Sequence, residues 1–158
     1  MKREETVDYH IKATWHAIAR MYNSGAGKFG LSVATGYILL NIDSEQGTPS
    51  TKIAPLLGLE ARSITRSLKN LEEEGYIYKL QDEKDKRFFR IFLTNKGKQA
   101  RELSRKGVIR FNEAVQTLVS KEQLEQFFAV IQTINQVIEQ QSLQLEAEQQ
   151  EEAYLMLK

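Results

Sequence analysis

The chain has 158 residues, 41% of them hydrophobic and 27% charged, and a formal net charge of +1. That length suits one domain with a real core and is too short for two large ones, and no apolar run is long enough to cross a membrane. Cysteine is absent, which excludes disulfides, thiol-based redox sensing, cysteine nucleophiles and Cys-ligated zinc.

The first residues lack the apolar stretch of a secretory signal, so a cytoplasmic location with no membrane partner is expected. Residues 4–23 carry Val7, Ile11, Trp15, Ile18 and Tyr22 at helical spacing, which predicts a helix with one apolar stripe. The glycine-rich run 24–30 is expected to break it. A second helix is predicted over 32–42, with Ser32 as N-cap. Thr48 is expected to cap a short third helix, with Pro49 at its first position, where a missing N–H costs nothing. Pro55 should bend that helix and Gly58 end it.

A fourth helix is predicted over 60–74, closed by Gly75 as a left-handed C-cap with Tyr76 as its apolar partner. Apolar strands over 76–80 and 88–93 flank six consecutive charged residues, 82–87, so a hairpin with a charged tip is expected. A long helix should follow over 94–119. Ser120 and Gln123 then form a capping box for a last helix bearing Leu124, Phe127, Ile131, Ile134 and Ile138. From residue 141 the chain is rich in Gln and Glu, and frayed helix or disorder is expected over 141–158.

The near-neutral total hides an asymmetry. Residues 48–71 hold Lys52, Arg62, Arg66 and Lys69 against Glu60 alone, whereas the end of the chain is acidic. In the fourth helix Ala61, Ile64, Leu68 and Leu71 make one buried stripe. Arg62, Ser63, Thr65, Arg66 and Lys69 lie opposite it. Guanidinium forks, ammonium groups and hydroxyls are the donors that phosphates and base edges take. Any surface helix has a charged face, so the helix alone decides nothing. The order helix, turn, helix, hairpin is the stronger signal. At the tip, Arg87 with Lys84 and Lys86 is placed to reach a minor groove or its flanking phosphates, with Asp85 orienting Arg87. Ser50, Thr51 and Lys52 on the preceding helix are candidate phosphate contacts.

These residues carry a resemblance. Asp82-x-Lys84-Asp85-x-Arg87, then Leu93-Thr94-x-x-Gly97, is similar to the wing pattern of the MarR family of bacterial transcriptional regulators. The end of that family's recognition helix is matched by Leu71-Glu72-x-x-Gly75. Lys84 departs from the arginine usual in the family; lysine keeps the charge and loses the bidentate fork. The resemblance implies a mainly α fold with a small β-hairpin wing: a winged helix-turn-helix flanked by long N- and C-terminal dimerisation helices. It implies a lobe for double-stranded DNA over 45–95, dimerisation helices over 1–44 and 96–140, and a homodimeric repressor on a pseudo-palindromic operator. It also implies a small aromatic or anionic effector, for which Trp15, His16, Tyr22 and Tyr37 are candidate cleft residues, though ordinary core packing is the better explanation of such aromatics.

Catalysis finds little support. His10 and His16 are too far apart to share a helix face as a metal pair, and no phosphate loop, zinc-protease or nucleophile-elbow motif occurs. No enzyme activity, metal or cofactor is expected. The alternative from another class is a winged-helix module that offers its basic face to an acidic protein.

Overall fold

The computed structural model describes residues 1–26, 31–57, 61–82 and 85–156. Contacts divide the chain into two units, Met1–Arg110 and Phe111–Lys158. The first unit opens with a short 3-10 turn, Arg3–Glu5, and helix α1, Val7–Ala26. Then come α2 (Val33–Leu40), β1 (Thr48–Pro49), α3 (Ser50–Leu56), α4 (Ala61–Glu73), β2 (Ile77–Gln81), β3 (Phe89–Leu93) and α5, Asn95–Gln116, which passes into the second unit. Helix α6, Lys121–Met156, lies in that second unit.

The fold is mainly α with a small antiparallel sheet, in strand order β1-β3-β2. The β2–β3 hairpin pairs Ile77 with Leu93, Lys79 with Ile91 and Gln81 with Phe89. Because side chains alternate along a strand, Ile77, Ile91 and Leu93 share one face, and all three are buried. They join Leu39, Ile42, Ile53, Ile64, Leu68 and Leu71 in one core. Each such side chain contributes about 1.5–3 kcal/mol on full burial.

Several expected signals take physical form. The Ser32 side chain accepts from the Thr35 N–H at 3.1 Å and caps α2. Gly75 has φ +74°, the Tyr76 N–H reaches the Leu71 carbonyl at 2.9 Å and the Gly75 N–H reaches that of Glu72 at 3.0 Å. That pair of bonds is a Schellman end for α4. Ser120 and Gln123 exchange bonds of 3.2 and 2.9 Å at the start of α6.

Thr94 and Gly97 join the wing to α5. The Thr94 hydroxyl bonds to the Gly75 carbonyl at 2.7 Å and accepts from the Gly97 N–H at 3.0 Å. The Thr94 N–H donates to the Tyr76 carbonyl at 3.0 Å. A Cβ on Gly97 would overlap that same carbonyl. Close approach of two backbones is therefore what places glycine there.

Three expectations need correction. Thr48 is not a helix cap: it pairs with Ile91 in β1, and its hydroxyl accepts from the Asp43 N–H at 2.9 Å. Pro49 is the N-cap position and α3 begins at Ser50. β1 is an edge strand, where a proline's missing N–H is tolerated. Helix α1 runs on through Ser24, Gly25 and Ala26; the rest of the expected break, and Gly58, lie outside the described residues. Helix α6 continues to Met156, so most of the polar stretch from residue 141 is helical.

Candidate nucleic-acid interface

Helix α4 is sorted into two faces by its own sequence. Ile64, Leu68 and Leu71 are buried, while Ser63, Thr65, Arg66 and Lys69 are exposed. In α3, Ile53 and Ala54 are buried, Thr51 and Lys52 are exposed and Ser50 is half-buried. Lys69 faces Glu73 one turn on at 3.7 Å. An exposed pair of this kind contributes little and breaks readily. Lys84 and the side chain of Arg62 lie outside the described residues.

The acidic end of α4, which works against the helix dipole, is tied down by cations from the wing side. Lys79 on β2 bonds Glu72 at 2.5 Å, and the Lys96 ammonium donates to the Glu74 carbonyl at 2.7 Å. Lys96 also lies over the Tyr76 ring, 4.1 Å from its centroid. Glu73 and Glu74 stay exposed, so the outer surface of α4 is basic in its first turns and acidic in its last.

At the wing tip Asp85 takes Arg87 by two bonds, Nε to Oδ1 at 3.0 Å and Nη2 to Oδ2 at 2.7 Å. The Arg87 guanidinium and its backbone N–H hold the Asp85 carboxyl below the usual carboxylate range. Arg87 also lies 5.7 Å from the centroid of the Phe88 ring. Lys86 is exposed. Asp85 and Arg87 are therefore brought together, with Asp82 joined to them through its Oδ1, which accepts the Asp85 N–H at 3.0 Å, and the guanidinium remains exposed.

Sequence reasoning missed Arg90. Its Nε donates to the Gln46 carbonyl at 2.9 Å, Nη2 to the Gly47 carbonyl at 2.9 Å and Nη1 to Asp82 Oδ2 at 3.2 Å. The signal was present: a lone arginine within Phe-Phe-Arg-Ile-Phe.

The aromatic candidates are gathered in part. Trp15 and Tyr37 have ring centroids 5.5 Å apart, tilted at 45°. Burial raises the pKa of both Tyr22 and Tyr37, and their mutual proximity raises that of Tyr22 further. A Cβ on Gly107 would stand 4.0 Å from the Tyr22 ring. His16 is exposed on α1, outside the Trp15–Tyr37 ring pair. Among the described residues no group of three or more His, Cys, Asp or Glu side chains is placed to hold a metal ion.

The model of the MarR family matches residues 31–88, the segment that holds α2, the α3–α4 pair and β2, and that ends just before β3. Through that segment the chain resembles the MarR family. It is 32% identical over 90 residues to the HTH-type transcriptional regulator TtmR of Methylorubrum extorquens, a match to 57% of this chain and 46% of that protein. The chain thus spans less than half the length of that relative. It is 24% identical over 136 residues to the regulator BilQ of Clostridium symbiosum, a match to 86% of this chain and 94% of that one. The S. aureus MepR–DNA complex shares its fold, with a TM-score of 0.77, 21% identity and coverage of 84% of this chain and 98% of that one. The wing motif has a structural reason in Thr94 and Gly97. Both TtmR and BilQ are named as transcriptional regulators.

Proposed function

We propose that this chain is a homodimeric, sequence-specific DNA-binding transcriptional repressor of the MarR family that acts in the cytoplasm on a pseudo-palindromic operator. The observation that carries the reading is the two-faced α4: Ile64, Leu68 and Leu71 inward, Thr65, Arg66 and Lys69 outward. In this reading α4 enters the major groove with its basic first turns. Ser50, Thr51 and Lys52 hold phosphates, and Lys84, Lys86 and Arg87 flank the site from the wing. Arg62 and Ser63 stand near the start of α4, where such helices meet base edges. The MepR relative was solved bound to DNA.

Residues 45–95 form the DNA-binding lobe in this reading, and 1–44 and 96–140 supply dimerisation. Support comes from the apolar residues the single chain leaves exposed: Val7, Ile11 and Trp15 on α1, Phe127 and Ile138 on α6. On each helix, taken by itself, apolar residues left exposed in this way suit an interaction surface. A two-fold dimer sets its half-sites about one helical turn, roughly 34 Å, apart. The Trp15–Tyr22–Tyr37 cluster is the place where a small aromatic or anionic effector would act.

The test is a binding titration of the full chain against DNA fragments selected from random sequence, repeated across salt. Selective binding with a steep negative dependence of log K on log salt is expected, because several phosphate contacts release counterions. Absence of any selected sequence, together with capture of an acidic protein by the same face, would instead favour the protein-interaction module.

A further inference from the structure

We propose that Arg90 is a positioning residue that fixes the wing-tip arginine relative to the start of α3, through a relay of two carboxylates. The proposal rests on the DNA-binding reading above and assigns a task to a residue that would itself not touch DNA.

The relay can be followed atom by atom. Gln46 and Gly47 lie just before β1, and β1 leads directly into α3 at Ser50. Their two carbonyls take Arg90 Nε and Nη2, each at 2.9 Å. Arg90 Nη1 reaches Asp82 Oδ2 at 3.2 Å. The other oxygen of that carboxylate, Oδ1, accepts the Asp85 N–H at 3.0 Å. Asp85 then holds Arg87 by its two bonds. Carbonyls, Arg90, Asp82, Asp85 and Arg87 thus form one continuous chain from the approach to α3 to the wing tip.

Two features make this a fixed spacer. The planar guanidinium places three of its donors in one rigid fork, so the loop and the wing cannot move apart without losing several bonds together. Gly47 has φ +66°, and a Cβ there would sit 2.7 Å from the Phe92 ring and 2.9 Å from the Ile91 carbonyl. The loop backbone is therefore pressed against β3 just past Arg90, at Ile91 and Phe92. Asp82 and Arg90 are also among the less exposed charged side chains of this region, at 16% and 29%, so water competes with them less than at the tip.

The consequence is that the wing contact and the α3 contact act at a set distance. Without Arg90 the wing stays covalently attached, but Arg87 no longer arrives at its phosphate in step with α3.

The experiment is a double-mutant cycle on the full chain, using a duplex that the wild type selects from random-sequence DNA. Arg87→Ala is expected to weaken binding about tenfold in the wild type and less than about twofold in Arg90→Met, since coupled neighbours are not additive. Equal losses in both backgrounds would overturn the proposal. A merely structural Arg90 would lower the melting temperature and leave the two losses additive. Asp82→Asn serves as a second variant, should Arg90→Met fail to fold. It keeps an oxygen for the Asp85 N–H and removes the charge that Arg90 faces.

Hydrogen exchange without DNA provides the independent arm. In either variant the amides of Asp85, Arg87 and Phe88 should exchange severalfold faster, while those of Leu68 and Leu71 in α4 stay unchanged. Unchanged exchange at the three wing amides would sink the relay. If the wild type selects no DNA, the DNA-binding reading fails, and exchange alone decides whether Arg90 fixes the wing.

Discussion

Asp85 grips Arg87 side-on, with both carboxylate oxygens engaged at 3.0 and 2.7 Å, and a third bond at 3.1 Å from the Arg87 N–H to Oδ1. Because these contacts favour the charged carboxylate, the Asp85 pKa lies below its usual value, with the Arg87 side chain as the larger cause. The sign of the linkage follows. The grip is fully present above the unfolded carboxylate pKa, about 3.9, and is lost as pH falls through the lowered folded value. An NMR titration of the Asp85 carboxyl carbon should show a midpoint below that of an unpaired aspartate. In Arg87→Ala the midpoint should rise. A midpoint unmoved by that substitution would mean the grip does not hold in solution.

Arg66 and Arg87 should fail differently as binding residues. Arg66 is exposed on the outer face of α4, in the part of such helices that meets base edges. Arg66→Ala is expected to relax sequence choice, by about 1–3 kcal/mol for a lost bidentate base contact. Arg87→Ala should weaken binding more evenly across sequences and make the salt dependence shallower, as loss of a phosphate contact does. Competition between selected and scrambled duplexes separates the two. Wild-type affinity and selectivity in both variants would show that the wrong face was assigned.

Gly97 and Gly25 should respond oppositely to alanine. A Cβ at Gly97 meets the Tyr76 backbone carbonyl, which cannot step aside without disturbing the Thr94 N–H bond to it. Gly97→Ala is therefore expected to destabilise by about 1–3 kcal/mol, the usual cost of forced overpacking. Gly25 lies within α1, and a Cβ there meets nothing within 4 Å. Gly25→Ala should stabilise by about 0.5–1 kcal/mol, through helix propensity and reduced unfolded-state entropy. Denaturant melts of the two variants check both signs.

The elements that could be read in advance are those whose reasons are local. The α4 stripe of Ile64, Leu68 and Leu71 is a matter of helical period, and Gly75 and the Ser120–Gln123 pair are cap chemistry within a few residues. What could not be read is long-range. β1 exists because Thr48 and Pro49 find Ile91 and Arg90 more than forty residues away, and propensity at 48–49 favours a helix start. Arg90 shows in the sequence only as a lone arginine among apolar residues; its partners, the Gln46 and Gly47 carbonyls, are long-range and no side-chain pattern reports them. Of the candidate site, the outward residues of α4 and the Asp85–Arg87 pair follow from spacing. His16 does not join the Trp15–Tyr37 pair, because neighbours in sequence on a helix point about 100° apart.

The exposed apolar face of α6 yields a final test, of the proposed dimer. Phe127 and Ile138 are each more than half exposed in the single chain, and both belong to the second unit, residues 111–158. The winged-helix core, by contrast, is built from residues 31–100. A charge placed on α6 should therefore disturb assembly far more than the fold of that core. Phe127→Glu combined with Ile138→Glu is expected to shift the full chain from dimer to monomer in sedimentation equilibrium. The Tyr76, Ile91 and Leu93 core should keep its hydrogen-exchange protection. Losing the two-fold partner removes one half-site, so binding to a full operator should fall to the level of binding to a half-operator. A double variant that still sediments as a dimer would place the assembly surface elsewhere, and a wild type that is monomeric at high concentration would remove the dimer from the proposed mechanism.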